Sequence, residues 1–216
     1  MPITFYCGSG SPPAWRVWLA LEHKKLAYDL KMLSFDRGET RAPAFLQINP
    51  RGRVPVIVDG DFALYEANAI VEYLEEKYPA TPQLFPGTTR ERARVRRWIS
   101  EIDDDYASAV GELGTAVLGT PKANRDDGRV TAARKAVLDE LGVIAGLMEG
   151  DFVAGGRVSA ADFALYPHVA ILARCDLKDA ELGMVAGRPV RIGDWAARIE
   201  ALPYFARTIP PHWAAG

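Results

Sequence analysis

Residues 8–21 read GSGSPPAWRVWLAL, a run of glycine, serine and proline that passes directly into apolar residues at helical spacing. The residues just before it, Ile3 to Cys7 (ITFYC), have the β-branched and aromatic character of a short buried strand. Trp15, Trp18, Leu19 and Glu22 fall three and four apart, with Val17, Ala20 and Leu21 between them. The stretch therefore reads as strand, tight turn, helix. Pro12 and Pro13 suit the first helical turn, where amide hydrogens have no partner within the helix. A helix N-terminus of this kind attracts anions. Nucleotide-phosphate signatures do not fit. A G-x-G-x-x-G opening at Gly8 would need glycine at position 13, where Pro13 stands, and no Gly-Lys-Ser/Thr follows.

Outward from this turn, Ala27 to Leu33 (AYDLKML) alternates loosely and is expected to be a second strand. Residues 34–53 (SFDRGETRAPAFLQINPRGR) are loop-like, with one helical turn expected around Ala42 to Gln47. VPVIVDG then forms a β-branched strand ended by an Asp-Gly turn, and Phe62 to Tyr65 returns as its hairpin partner. Ala67 to Lys77 is helical, with Ile70, Val71 and Leu74 on one face, and Pro79 stops it. The stretch YPATPQLFPGTT reads as a linker. Almost everything beyond it has helical period. Arg90 to Leu118 is expected to be one long helix, with Trp98, Ile102, Tyr106, Ala109 and Leu113 in step. Thr131 to Met148, Ser159 to Leu172 and Ile192 to Leu202 follow as further helices. The expected organisation is an α/β domain over 1–78, a linker over 79–88 and an all-helical domain over 89–216.

The bulk numbers narrow the function classes. With 216 residues, 49% hydrophobic and 25% charged, the chain has enough apolar surface for packed cores. A net charge of −2 gives no electrostatic footprint for nucleic acid. The basic run RERARVRR at 90–97 contains Glu91 and is followed by acids from Glu101 to Asp105, so it reads as a solvated or interface face. No run approaches the roughly 18 apolar residues of a membrane span, and no secretory signal is visible. Two cysteines, Cys7 and Cys175, do not make a disulfide framework, which points to a reducing cytoplasm. His23, His168 and His212 show no metal-ligand spacing.

Four segments occur in a telling order: SPPAWRV at 11–17, RVPVIVDG at 53–60, LYEANAIVEYL at 64–74 and VSAADFALYP at 158–167. Together with a small mixed sheet, a proline-rich linker and a helical second half, they resemble the cytosolic glutathione transferase family. The opening is similar to serine-type members such as the tau and zeta classes, in a bacterial-type chain. The resemblance implies a thioredoxin-like first domain followed by an all-α helical bundle. It also implies a cytoplasmic homodimer with glutathione as co-substrate and no metal.

The chemistry this implies is the activation of a thiol. A free thiol has a pKa of about 8.5. A hydrogen bond to a charged group, worth about 1.5–3 kcal/mol, lowers that by roughly one to two pH units. In serine-type members the hydroxyl five residues before the arginine, here Ser11 before Arg16, donates to the thiolate. Ser11 is equally placed to cap the helix by accepting the Ala14 amide. The absence of amide hydrogens on Pro12 and Pro13 puts more weight on the hydroxyl. Ser9 is the rival hydroxyl, and Tyr6 a third. Cys7, which could in principle form a mixed disulfide, reads as a buried strand-end residue, and Cys175 as core.

The resemblance further implies a cis bond between Val54 and Pro55, leaving the Val54 backbone to pair with glutathione as an added strand. Glu66 would hold the γ-glutamyl ammonium and the Ala67 amide its carboxylate. Family members usually carry serine where Ala67 stands. Arg53 and Arg41 are candidates for the glycine carboxylate. Ser159 and Asp162 read as a capping box, with Val158 and Phe163 as its hydrophobic staple, so they are structural. An electrophile pocket is expected from Tyr106, Trp98 and Ile102 with Trp213 and His212 of the tail. Three functions fit: conjugation of the glutathione thiolate to small apolar electrophiles; a glutathione-dependent isomerase, dehalogenase or peroxidase reaction on the same scaffold; or a non-catalytic binding or partner-docking module.

Overall fold

The computed structural model describes residues 2–213, and its chain forms two units, 1–86 with the returning tail from Leu202, and Gly87–Ala201. In the first unit, strand β1 (Ile3–Gly8) leads into helix α1 (Pro12–His23), and β2 (Tyr28–Leu33) returns parallel to β1. A short helix α2 (Pro43–Ile48) follows a 3-10 turn at Glu39–Arg41. The antiparallel pair β3 (Val56–Asp59) and β4 (Phe62–Tyr65) completes a four-stranded sheet of order β2-β1-β3-β4. Helix α3 (Ala67–Lys77) closes the unit. Along β1, Ile3, Phe5 and Cys7 are buried while Thr4 and Tyr6 are half-buried, as strand alternation requires. Tyr6 lies against Phe45 of α2, with ring centroids 5.7 Å apart.

Helix α1 is buried at every position from Ala14 to Leu21. A helix apolar on all sides has to be enclosed on all sides. Here the sheet and α3 cover part of it, and the tail from Leu202 covers more. Trp15 shows how: its indole N–H donates to Thr208 Oγ1 at 3.0 Å, and its ring meets Phe205 and Trp213 of the tail. The sequence division assigns these tail residues to the helical half; the fold returns them to the first unit because α1 still has an apolar side to cover.

The stretch after α3 is fixed by a buried ion pair. Lys24 Nζ donates to Glu75 Oε2 at 3.0 Å and to the Pro82 carbonyl, while Glu75 also accepts the Leu84 and Phe85 amides. Paired in this way, both charges are tolerated in the interior.

The second unit is helical. Helix α4 (Thr89–Glu101) starts on a Thr88–Glu91 capping box and passes through a π-helical turn at Ile102–Tyr106 into α5 (Ala107–Val117). The sequence expectation of one uninterrupted α-helix over 90–118 is corrected at this point. Trp98, Ile102, Tyr106 and Val110 are spaced by four throughout and all buried. In a regular helix such residues drift around the axis, and a wider turn keeps them on one face. Helices α6 (Asp127–Leu147), α7 (Ala160–Lys178), α8 (Met184–Gly187) and α9 (Val190–Glu200) complete the bundle. Helix α7 is buried from Ala160 to Val169 and forms the centre. Among the described residues, no helix is long and apolar enough to cross a membrane.

Candidate functional site

The turn after β1 is now defined. The Ser11 amide donates to the Gly8 carbonyl at 3.0 Å, and Gly10 has φ +79. These are the marks of a type II turn with glycine at its third position. A side chain at Gly10 would also meet His212 Cε1 at 2.9 Å. Ser11 is the N-cap of α1, half-buried, with Pro12 and Pro13 as the first helical residues. Its Oγ accepts the Ala14 amide only at 3.5 Å, longer than a well-formed bond. The Ser11 hydroxyl proton has no acceptor among the described residues. Ser11 is thus a weakly committed cap with a donor to spare, at the positive end of a 12-residue helix.

The neighbouring candidates have different surroundings. Cys7 is buried, and burial pushes its thiol up to about 12, so it stays protonated and unreactive at neutral pH. Tyr6 is occupied against Phe45. Ser9 Oγ is in hydrogen-bond contact with His212 Nδ1.

On the loop between α2 and β3, the Val54–Pro55 bond is cis. Among the described residues nothing hydrogen-bonds to the Val54 backbone, so an extended chain would find a donor and an acceptor there. Asn49, which sequence reasoning missed, shapes this loop. It is almost fully buried, donates to the Arg53 carbonyl at 2.7 Å and accepts the Arg51 amide at 3.0 Å. Gly52 makes the bend at φ +60, where a side chain would strike the Thr40 carbonyl at 2.8 Å. Asn followed by Pro and Gly in residues 49–52 was the available signal. Arg53 and Arg41 are both exposed; Arg41 donates to the Arg51 carbonyl at 3.4 Å, and Arg53 has no side-chain partner among the described residues.

Glu66 precedes α3 with φ +73 and ψ 115, a backbone conformation that L side chains rarely adopt. Such strain is held only where the surroundings impose it, and it gathers at binding sites. Glu66 is exposed, and Ala67 is the first residue of α3. Sequence reasoning also missed a tie between the two helix starts: Arg16, buried in α1, donates through Nη1 to Asn68 Oδ1 in α3. A buried arginine amid the apolar residues of α1 was its only trace in the sequence.

The expected electrophile residues fall in separate units. Trp98, Ile102 and Tyr106 edge a cavity of about 230 Å³ within the helical unit, shared with Glu101, Asp105, Glu140 and Leu147. The Tyr106 hydroxyl is fully buried with no hydrogen-bond partner among the described residues, and burial pushes the phenol's pKa up. Trp213 lies in the first unit, edge-on to Trp15 at 5.2 Å. Asp162 accepts the Ser159 amide and hydroxyl, the Val153 amide and the Trp195 indole, all within the helical bundle.

A four-stranded mixed sheet with a serine-capped first helix, a cis-proline before β3 and a helical second unit together define a thioredoxin-like fold joined to a helix bundle. The glutathione S-transferase N-terminal domain family matches residues 10–77. The chain is 31% identical to glutathione S-transferase A of Pleuronectes platessa over 98% of its own length and 92% of the relative's. It is also 31% identical to a probable maleylacetoacetate isomerase of Vibrio cholerae, over 97% and 96% of the two chains. A glutathione S-transferase structure from the Antarctic clam Laternula elliptica superposes with a TM-score of 0.85 at 34% identity, covering 100% of this chain and 95% of that one. The chain belongs to the glutathione transferase family.

Proposed function

We propose that the protein is a serine-type glutathione transferase in which Ser11 stabilises the glutathione thiolate. The observation that carries this is the Ser11 hydroxyl, a helix cap whose proton has no acceptor of its own among the described residues. Glutathione lies extended along Val54, paired with its backbone. Its γ-glutamyl carboxylate meets the Ala67 amide, its ammonium Glu66, and its glycine carboxylate Arg53 or Arg41. The thiol gives its proton to water. The Ser11 O–H and the positive end of α1 hold the sulfur as thiolate. The sulfur then forms a bond to an electrophilic carbon as the leaving group, or the carbon's π pair, departs. Holding both reactants together supplies much of the remaining rate. The electrophile is small and apolar. The protein acts as a cytoplasmic homodimer. A first domain ending at residue 78, a linker over 79–88 and a helical domain beginning at residue 89 remain part of this proposal, with the tail from Leu202 placed in the first unit.

The test is the ultraviolet absorbance of bound glutathione thiolate across pH, in the native protein and in Ser11→Ala. The expected result is a thiolate pKa well below that of free glutathione, returned toward the free value in Ser11→Ala. A lowered pKa untouched by the substitution moves the role off Ser11, and no bound thiolate removes the function altogether.

The resemblance to a probable maleylacetoacetate isomerase supports a second reaction on the same thiolate. It is an isomerisation in which the sulfur adds to an unsaturated acid and leaves again. Recovery of glutathione unchanged would distinguish it from conjugation.

A further inference from the structure

The tail brings a histidine to the opening turn. Trp213 Nε1 approaches His212 Nε2 at 2.8 Å, and His212 Nδ1 contacts Ser9 Oγ. An indole nitrogen only donates. Nε2 is therefore the acceptor and carries no proton, so a neutral imidazole keeps its hydrogen on Nδ1. That hydrogen is donated to Ser9 Oγ. An imidazolium would set two N–H groups face to face at Trp213. With a lone pair of Ser9 occupied by the ring, the hydroxyl's own hydrogen turns away from His212. Ser9 and His212 both line a cavity of about 480 Å³, together with Met32, Leu33, Phe35 and Pro211.

The tail is fixed to the same helix that Ser11 caps. Trp15 donates to Thr208 Oγ1, Thr208 donates to the Phe205 carbonyl, and the Trp15 ring meets Phe205 and Trp213. His212 also closes over Gly10, in the turn that carries both Ser9 and Ser11. The two serines occupy the second and fourth positions of one turn whose ends lie less than about 7 Å apart.

We propose that His212 is a positioning residue for Ser9, and that Ser9, held in this way, is a second hydroxyl donor to the glutathione thiolate beside Ser11. The donor role rests on the function proposed above; the orientation of Ser9 does not. The test therefore has two arms. The first is the imidazole ¹⁵N spectrum of the protein without glutathione. His212 is expected to carry its proton on Nδ1, and Trp213→Phe to release that preference. A ring protonated on Nε2 at neutral pH overturns the proposal whether or not glutathione binds.

The second arm is the thiolate titration of bound glutathione. Ser9→Ala and His212→Ala are each expected to raise the thiolate pKa by about one to two pH units, the size of one hydrogen bond to a charged sulfur. The double variant should go no further than either alone. A His212→Ala effect that persists undiminished in the Ser9→Ala background overturns the proposal, as does a thiolate pKa that neither change moves. If the native protein binds no thiolate while His212 shows the Nδ1–H form, the transferase function and the donor role fail together and only the positioning of Ser9 stands.

Discussion

Ser11 and Ser159 each precede a long, buried helix, and the molecule uses them in opposite ways. Ser159 is almost wholly buried. Its amide and hydroxyl both donate to Asp162 Oδ2, at 2.8 and 3.0 Å, while Asp162 Oδ1 takes the Val153 amide and the Trp195 indole. Every hydrogen-bonding group in that set is spent on holding α7 to its neighbours. Ser11 is half-buried and its cap bond is long. The two prolines after it remove amides that would otherwise compete for a bound anion. One helix start is saturated and rigid. The other is left short of partners, which is the state a binding group needs.

The widest separation between them is expected in stability. Asp162→Ala leaves four buried donors unpaired and should lower the unfolding free energy by about 3–5 kcal/mol, read by urea denaturation. Ser11→Ala removes only a weak, partly solvated cap, so its stability cost should stay below about 1 kcal/mol. Its effect falls on chemistry instead. Conjugation to a standard electrophile below neutral pH should fall about 10- to 100-fold, matching the loss of a 1.5–3 kcal/mol bond to a charged sulfur. Ser11→Thr keeps the hydroxyl and should restore most of the rate. An equal loss of stability in both variants would erase the contrast between the two serines.

That contrast was half visible in the sequence. Both serines stood out as caps, and Ser159-x-x-Asp162 carried its structural role in its spacing. The strand and helix order of the first unit followed from period and punctuation, and α3 could be read from Ala67 to Lys77. The tail was not legible. The run from Tyr204 to Trp213 has no period, and its place is set by Trp15, nearly two hundred residues away. The π-helical turn hid for a related reason, since spacing by four fits an α-helix as well as a wider turn. At the candidate site, residue types were readable but not their availability. Nothing in the letters tells the long Ser11 cap from a tight one, or shows the backbone of Glu66 at φ +73.

A smaller difference separates the two buried carboxylates. Asp162 is held by neutral donors alone, whereas Glu75 faces Lys24. Burial pushes Glu75 up, but the Leu84 amide and Lys24 outweigh it and hold the carboxyl below its usual 4.5. A carboxylate whose folded pKa is depressed contributes stability above its unfolded value and loses it as pH falls through the folded one. Unfolding free energy should therefore drop as pH is lowered below about 4.5. Glu75→Gln should flatten that slope while lowering the plateau at neutral pH. An unchanged slope in Glu75→Gln would assign the acid limit elsewhere.

The smallest effect sharpens the comparison of helix starts, because α3 sits between the two extremes. Its first residue, Ala67, offers an amide but no hydroxyl, and Glu66 before it makes no side-chain cap bond. The strain at Glu66 is maintained without the capping bond that a serine at the helix start would add. Ala67→Ser supplies one more donor at the helix's positive end, where the γ-glutamyl carboxylate is proposed to lie. Affinity for glutathione, measured calorimetrically, should rise about three- to tenfold, the worth of one hydrogen bond of about 0.5–1.5 kcal/mol. The bound thiolate's pKa should stay where it was, since the sulfur is Ser11's charge and not Ala67's. A gain in affinity accompanied by a shifted thiolate pKa would mean that the two helix starts act on the same end of the ligand, and the extended placement along Val54 would have to be redrawn.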